Sequence, residues 1–181
     1  MRIALVNTNR VKPAIAPIGL EYVAESISRA GFSVEVLDLC WADDWEKETR
    51  SFFQHDEFQV IGVTLRNTDD CAYPGETFIP GFVKIINCLR KHSHGTLVIG
   101  GVGFSIMPRE VLELCQADFG IWGDGEFTFL EFLTRMEKKS EYRYVPGLIH
   151  KFAGKWKMNP PRHDGSVLKL PAMTRRWVNN R

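Results

Sequence analysis

Residues 59–64 read Gln59-Val60-Ile61-Gly62-Val63-Thr64, a continuous apolar run bounded by turn residues on both sides. A run this short and unbroken predicts a strand buried on both faces, which is the habit of parallel sheets covered by helices. The same pattern recurs on either side of it. Arg2–Val6, Ser33–Leu37, Thr96–Ile99 and Asp118–Trp122 are strand-length runs. Helix-period segments alternate with them: 17–30, 45–54, 77–91, 108–115 and 125–138. In the first of these, Leu20, Val23, Ile27 and Ala30 share a face and Gly31 stands at the stop position. Pro108 opens the fourth, a favoured place for a helical proline, and Asp124 precedes the fifth as a candidate N-cap. Five β-α repeats with right-handed crossovers leave few topologies. The expected fold class is α/β, a doubly wound (Rossmann-/flavodoxin-like) five-stranded parallel sheet of order 2-1-3-4-5, with a C-terminal hairpin and linker.

The pattern changes after Lys139. Residues 146–150 and 155–157 flank Ala153-Gly154 and predict a hairpin, and Pro160-Pro161 then breaks the chain. The expected division is 1–140 for the α/β body, 141–159 for the hairpin extension and 160–181 for a linker. The linker differs in kind from the body: it carries a net charge of +4 within a chain of 181 residues whose net charge is +1.

Composition narrows the function classes. Hydrophobic content of 44% and charged content of 25% are those of a globular domain. The near-balanced charge gives no reason to expect a nucleic-acid partner. No stretch approaches the ~20 apolar residues of a membrane span, and the N-terminal apolar run is too short for a secretory signal, so the expectation is a cytoplasmic protein. Cys40, Cys71, Cys88 and Cys115 show no CxxC and no adjacent histidine, which argues against a metal site built from this chain alone. Cys88 and Cys115 read as buried thiols and Cys71 as a loop residue.

In doubly wound sheets ligands sit beyond the C-terminal strand ends, at the point where strand order reverses. Three loops there carry more than a turn requires. Gly100-Gly101-Val102-Gly103-Phe104-Ser105 removes side chains where a strand leaves the sheet, either for close approach of a ligand or for a tight turn with positive φ. Thr64-Leu65-Arg66-Asn67-Thr68-Asp69-Asp70 opens a long irregular loop, either functional or merely solvated. Trp122-Gly123-Asp124-Gly125-Glu126 begins a helix, either as an anion-binding turn or as an ordinary cap. The loop after the first strand, Asn7–Pro13, contains no glycine, which excludes a dinucleotide fingerprint or Walker loop. No nucleophile elbow is present, and none of the five histidines falls in these loops. A site without an acid–base pair or nucleophile points to a binding domain whose chemistry resides in a cofactor.

Four segments taken together resemble the N-terminal cobalamin-binding domain of B12-dependent radical SAM proteins: residues 17–24 (PIGLEYVA), 60–67 (VIGVTLRN), 98–103 (VIGGVG) and 117–126 (ADFGIWGDGE). Val145-Pro146-Gly147-Leu148 is also similar. The resemblance runs from residue 1 to about 160, with Asp124 where the family usually has Glu. It implies a corrinoid over the sheet's C-terminal edge. Gly100, Gly101 and Gly103, with Phe104 and Ser105 beside them, would make room for the nucleotide tail. Thr64 would stand near that tail, and Leu65, Arg66 and Asn67 would lie under the corrin ring. Thr8, Asn9 and Arg10 would bind its amide arms, with Gly123, Gly125 and Glu126 at the rim.

Two departures refine the expectation. The D-x-H-x-x-G that ligates cobalt in related cobalamin proteins is replaced by Asn7-Thr8-Asn9-Arg10-Val11-Lys12. Arg66 offers no lone pair, so base-off cobalamin without a histidine ligand is expected. The family's CxxxCxxC cluster motif is absent. This chain is therefore expected to bind cobalamin without catalysing a reaction itself. The resemblance implies a parent protein that adds a radical SAM domain, a [4Fe-4S] cluster and S-adenosylmethionine. The competing expectation is a flavodoxin-like small-ligand or protein-interaction module without cobalamin. A receiver-type module is disfavoured because Asn7 and Thr64 occupy its acidic positions.

Overall fold

A computed structural model describes residues 1–55, 57–162 and 172–178. Five parallel strands lie in the expected order: β1 (Arg2–Asn7), β2 (Ser33–Asp38), β3 (Val60–Thr64), β4 (Thr96–Gly100) and β5 (Phe119–Ile121). The hairpin β6 (Leu148–Phe152) and β7 (Lys155–Met158) then continues the same sheet antiparallel, so the order is β2-β1-β3-β4-β5-β6-β7. The expected count of five strands is thus corrected to seven. β6 pairs along the outer edge of β5, with Ile121 opposite Leu148. Ala153 and Gly154 both have positive φ, the geometry of a tight two-residue hairpin turn.

Residue alternation along the strands creates two cores. Ile3, Leu5, Val60, Val98 and Ile121 face α1 (Ile18–Arg29) and α6 (Gly125–Glu137). Ala4, Val6, Ile61, Val63, Leu97 and Ile99 pack in the opposite core, beneath α2 (Trp45–Phe53), α3 (Ile79–His92) and α5 (Pro108–Cys115). Helix ends follow local chemistry. The Asp44 carboxylate accepts the Lys47 N–H at 2.9 Å to start α2. Gly31, at φ +94°, ends α1 where a side chain would be strained. Asp124 stands at the start of α6 but makes no side-chain capping bond, so its expected role is corrected.

A short helix, α4 (Val102–Ile106), occupies what reads as loop in the sequence. It forms because Gly101, at φ +105°, turns the chain sharply out of β4. Cys115 is buried, and burial pushes its thiol up to about 11, while Cys88 is only half-buried and Cys71 is exposed. Among the described residues no group of three or more His, Cys, Asp or Glu is placed to hold a metal, and no helix is long and apolar enough to cross a membrane. In the segment expected to be a linker, Pro161 lies against Gly123 and residues 172–178 lie on α1. Residues 163–171 fall outside the described residues.

Candidate functional site

The sheet alternation that buries Leu5, Gly62, Val98 and Ile121 continues two residues further to Asn7, Thr64, Gly100 and Gly123 at the C-terminal edge. Those eight positions line one cleft of about 560 Å³ between the sheet, α1 and α6. At its floor Gly62 lets neighbours close in: a Cβ there would meet Leu5 Cδ2 at 2.7 Å and Phe129 Cε1 at 3.1 Å. The walls are the first turns of α1 (Ile18, Gly19, Leu20, Val23) and α6 (Gly125, Glu126). Both helices begin at this edge without a side-chain cap, so their positive dipole ends lie beside the cleft. Ile15, Ile18 and Val102 line the mouth and are 46%, 49% and 75% exposed.

The glycines expected to clear space divide into two kinds. A Cβ on Gly100 would have ordinary contact, its nearest atom being Ile121 O at 3.6 Å, and one on Gly19 would meet nothing within 4 Å. Packing does not require glycine at either position, and both line the cleft. Gly101, which also lines the cleft, and Gly103 are glycines that the protein's own packing requires. A Cβ on Gly101 would lie 2.5 Å from Leu65 O, and one on Gly103 would lie 2.9 Å from the Arg66 carbonyl. The Gly103 N–H donates to that carbonyl at 2.8 Å, so this glycine seats α4 on the β3 loop.

Other expected site residues are redistributed. Phe104 is fully buried and packs over Gly120 rather than lining either cleft. Ser105 bridges the two glycine turns, donating to Gly101 O at 3.0 Å and accepting from Gly123 N–H at 3.3 Å. The Thr8 hydroxyl donates to Thr64 O at 2.7 Å and Arg10 Nη2 donates to Ala42 O at 3.0 Å, so both side chains tie down the β1 loop. Thr8, Asn9, Arg10, Leu65 and Asn67 surround a second cleft of about 350 Å³ on the other side of the rim. Arg66 borders both clefts, and its guanidinium has no hydrogen bond or ion pair among the described residues. Glu126 is the partly buried acid of the first cleft. Burial, helped by the nearby Asp124 charge, raises its carboxyl above the usual range.

Sequence reading missed the helical wall and the floor. Gly19 lies in a quoted segment but read as part of an ordinary helix. Its signal was a glycine in a first turn, where it costs helix stability without an evident local reason. Leu5, Val98 and Ile121 read only as core.

The open cleft bounded by bare backbone and helix N-termini is suited to a large ligand with an anionic arm. Among the described residues its lining holds no cysteine, histidine or lysine, and its acids are Asp124 and Glu126. Residues 4–133 match the family described as B12 binding domain. The chain is 34% identical over 151 residues to a tryptophan 2-C-methyltransferase of Streptomyces laurentii, covering 81% of this chain and 25% of that protein. It is 27% identical over 147 residues to an uncharacterized methyltransferase of Pyrococcus horikoshii, covering 81% of this chain and 30% of that protein. The structure of the radical S-adenosylmethionine methyltransferase TsrM from Kitasatospora setae, with cobalamin and a [4Fe-4S] cluster bound, superposes with a TM-score of 0.82 at 33% identity. That match covers 91% of this chain and 30% of TsrM. OxsB, a cobalamin-dependent S-adenosylmethionine radical enzyme solved with aqua-cobalamin, gives 0.75 at 14% identity over 94% of this chain and 23% of OxsB, a likeness of fold alone.

Proposed function

This chain belongs to the B12 binding domain family, and on that premise we propose that it cradles base-off cobalamin within a radical SAM methyltransferase. The observation that carries the reading is the cleft whose wall glycines, Gly100 and Gly19, have no packing reason to be glycine. The cleft between α1 and α6 would hold the nucleotide arm, with the helix starts available to its phosphate. Thr64, Arg66 and the β1 loop would hold the corrin at the rim. No histidine lines either cleft among the described residues, which supports a lower cobalt face without protein imidazole.

Cobalamin, when bound, supplies methyl-carrying chemistry at its cobalt. The residues of this chain bind, orient and exclude water. Leu5, Val98, Ile121 and Phe129 give the arm an apolar bed. Glu126 can accept from an amide N–H at the rim. Arg66 places a permanent cation near the ring without ligating it.

The chain spans 25% to 30% of the length of the methyltransferases it matches. The radical SAM domain, its [4Fe-4S] cluster, S-adenosylmethionine and the methyl acceptor therefore belong to the proposal. On this reading residues 1–140 bind the corrinoid, 141–159 extend the sheet and 160–181 run toward the catalytic domain. The test is reconstitution with hydroxocobalamin, FMN or NAD followed by desalting. Retention of cobalamin alone, with Co(II) EPR free of protein nitrogen coupling, is the expected result. Retention of FMN or NAD instead, or histidine coupling to cobalt, overturns it.

A further inference from the structure

Two carboxylates are buried on the outer side of α1, one turn apart: Glu21 is 0% exposed and Glu25 2%. A buried carboxylate costs several kcal/mol unless it is paired and hydrogen-bonded. Their covering is residues 172–178. On Glu25 Oε2 converge the Trp177 indole N–H and the Thr174 hydroxyl, each at 3.0 Å, while Arg29 Nε donates to Oε1 at 2.8 Å. Arg29 also reaches Ala172 O at 2.9 Å. Neither oxygen of Glu21 has a hydrogen bond, and its counter-charge is Arg175 Nε at 3.4 Å. Arg176 adds a bond to Ser28 Oγ at 3.3 Å and stacks on Trp177 with 4.6 Å to the ring centroid. An acidic pair under a basic segment is a charge match specific to this stretch of chain.

The helical turns clamped in this way also line the cleft. Glu21 lies between Leu20 and Val23, and the wall starts at Ile18 and Gly19. That start has no side-chain cap, and a Cβ on Gly19 would meet nothing within 4 Å. On the far side of the cleft Pro161 packs on Gly123. Pro161 thus lies at the rim of the cleft and residues 172–178 lie on the outer side of α1.

Resting on the cobalamin reading above, we propose that residues 172–178 form a strap that positions α1, so that strap docking and cofactor binding strengthen each other. Glu21, Glu25, Thr174 and Trp177 are then positioning residues. Linkage requires the two effects to be equal in size.

The test uses the full chain with hydroxocobalamin. Trypsin cleavage after Arg175 and Arg176, followed by mass spectrometry, reads strap release. Saturating hydroxocobalamin is expected to slow this cleavage at least fivefold. The Glu21→Gln/Glu25→Gln double variant and, separately, Trp177→Phe are expected to bind hydroxocobalamin at least fivefold more weakly. The spectrum of the bound cofactor should not change. The protection assay on the unaltered chain needs no variant and survives any folding defect. If the cofactor is retained but cleavage is equally fast with and without it, the strap proposal fails and the cobalamin reading stands. If no cobalamin is retained, both fail.

Discussion

Gly100 and Gly101 are neighbours in sequence with opposite reasons for lacking a side chain. Gly101 is held at φ +105° with Leu65 O where its Cβ would be. Gly101→Ala should lose about 1–3 kcal/mol from backbone strain, with the collision adding to it. Urea denaturation with and without cofactor would show this loss in the apoprotein. Gly100 has room for a methyl group. Gly100→Val should cost the apoprotein less than Gly101→Ala does, because its Cβ has only ordinary contact with Ile121 and the position ends a strand. It should lower hydroxocobalamin retention tenfold or more in an absorbance titration. Equal retention by the valine variant would remove the main support for a ligand in this cleft. From sequence both glycines offered the same two readings, because φ and the path of the neighbouring loop are not local properties. Phe104 shows the same limit: its helix and its burial against Gly120 come from the turn at Gly101 and the position of β5.

At the scale of elements, the C-terminal hairpin and the strap both make stability depend on pH. His150 on β6 is 5% exposed and its Nδ1 has no partner. Burial first, then the Arg143 charge, holds its imidazole below the ordinary value. The unfolded chain therefore binds a proton that the folded chain refuses, and stability falls as pH drops below about 6.5. His150→Leu should flatten the thermal-midpoint profile between pH 6.5 and 5. Glu25 acts at lower pH. The Arg29 hydrogen bond, outweighing burial and aided by Trp177 and Thr174, depresses its carboxyl. Its contribution is complete above the ordinary carboxylate pKa of about 4.3 and is lost as pH falls through the depressed value. Midpoints measured from pH 5 to 3 should decline less in Glu25→Gln than in the parent. A parallel decline would mean that the carboxylate is not held charged.

For the molecule as a whole, a ligand that spans sheet, α1 and α6 binds the folded state alone. Hydroxocobalamin at about 100 times its Kd should add about 2.7 kcal/mol to unfolding. Calorimetry would register this as a rise in midpoint that scales with the logarithm of cofactor concentration. An unchanged midpoint at saturating cofactor would mean that no site exists.

The parallel core, its strand order and the edge that carries the cleft were written in unbroken apolar runs alternating with helix-period segments. Those patterns are local, and handedness leaves them few arrangements. The match of family segments named the corrinoid, and the missing histidine after β1 was readable directly. What only the tertiary structure decided is at which bare positions the protein's own packing requires glycine and at which it leaves room. It also joined the hairpin to the sheet and laid a basic tail over two buried acids. Those outcomes depend on contacts between segments far apart in the chain: Glu25 meets Trp177, Gly101 meets Leu65, and Ile121 meets Leu148. No periodicity within either partner encodes the distance between them.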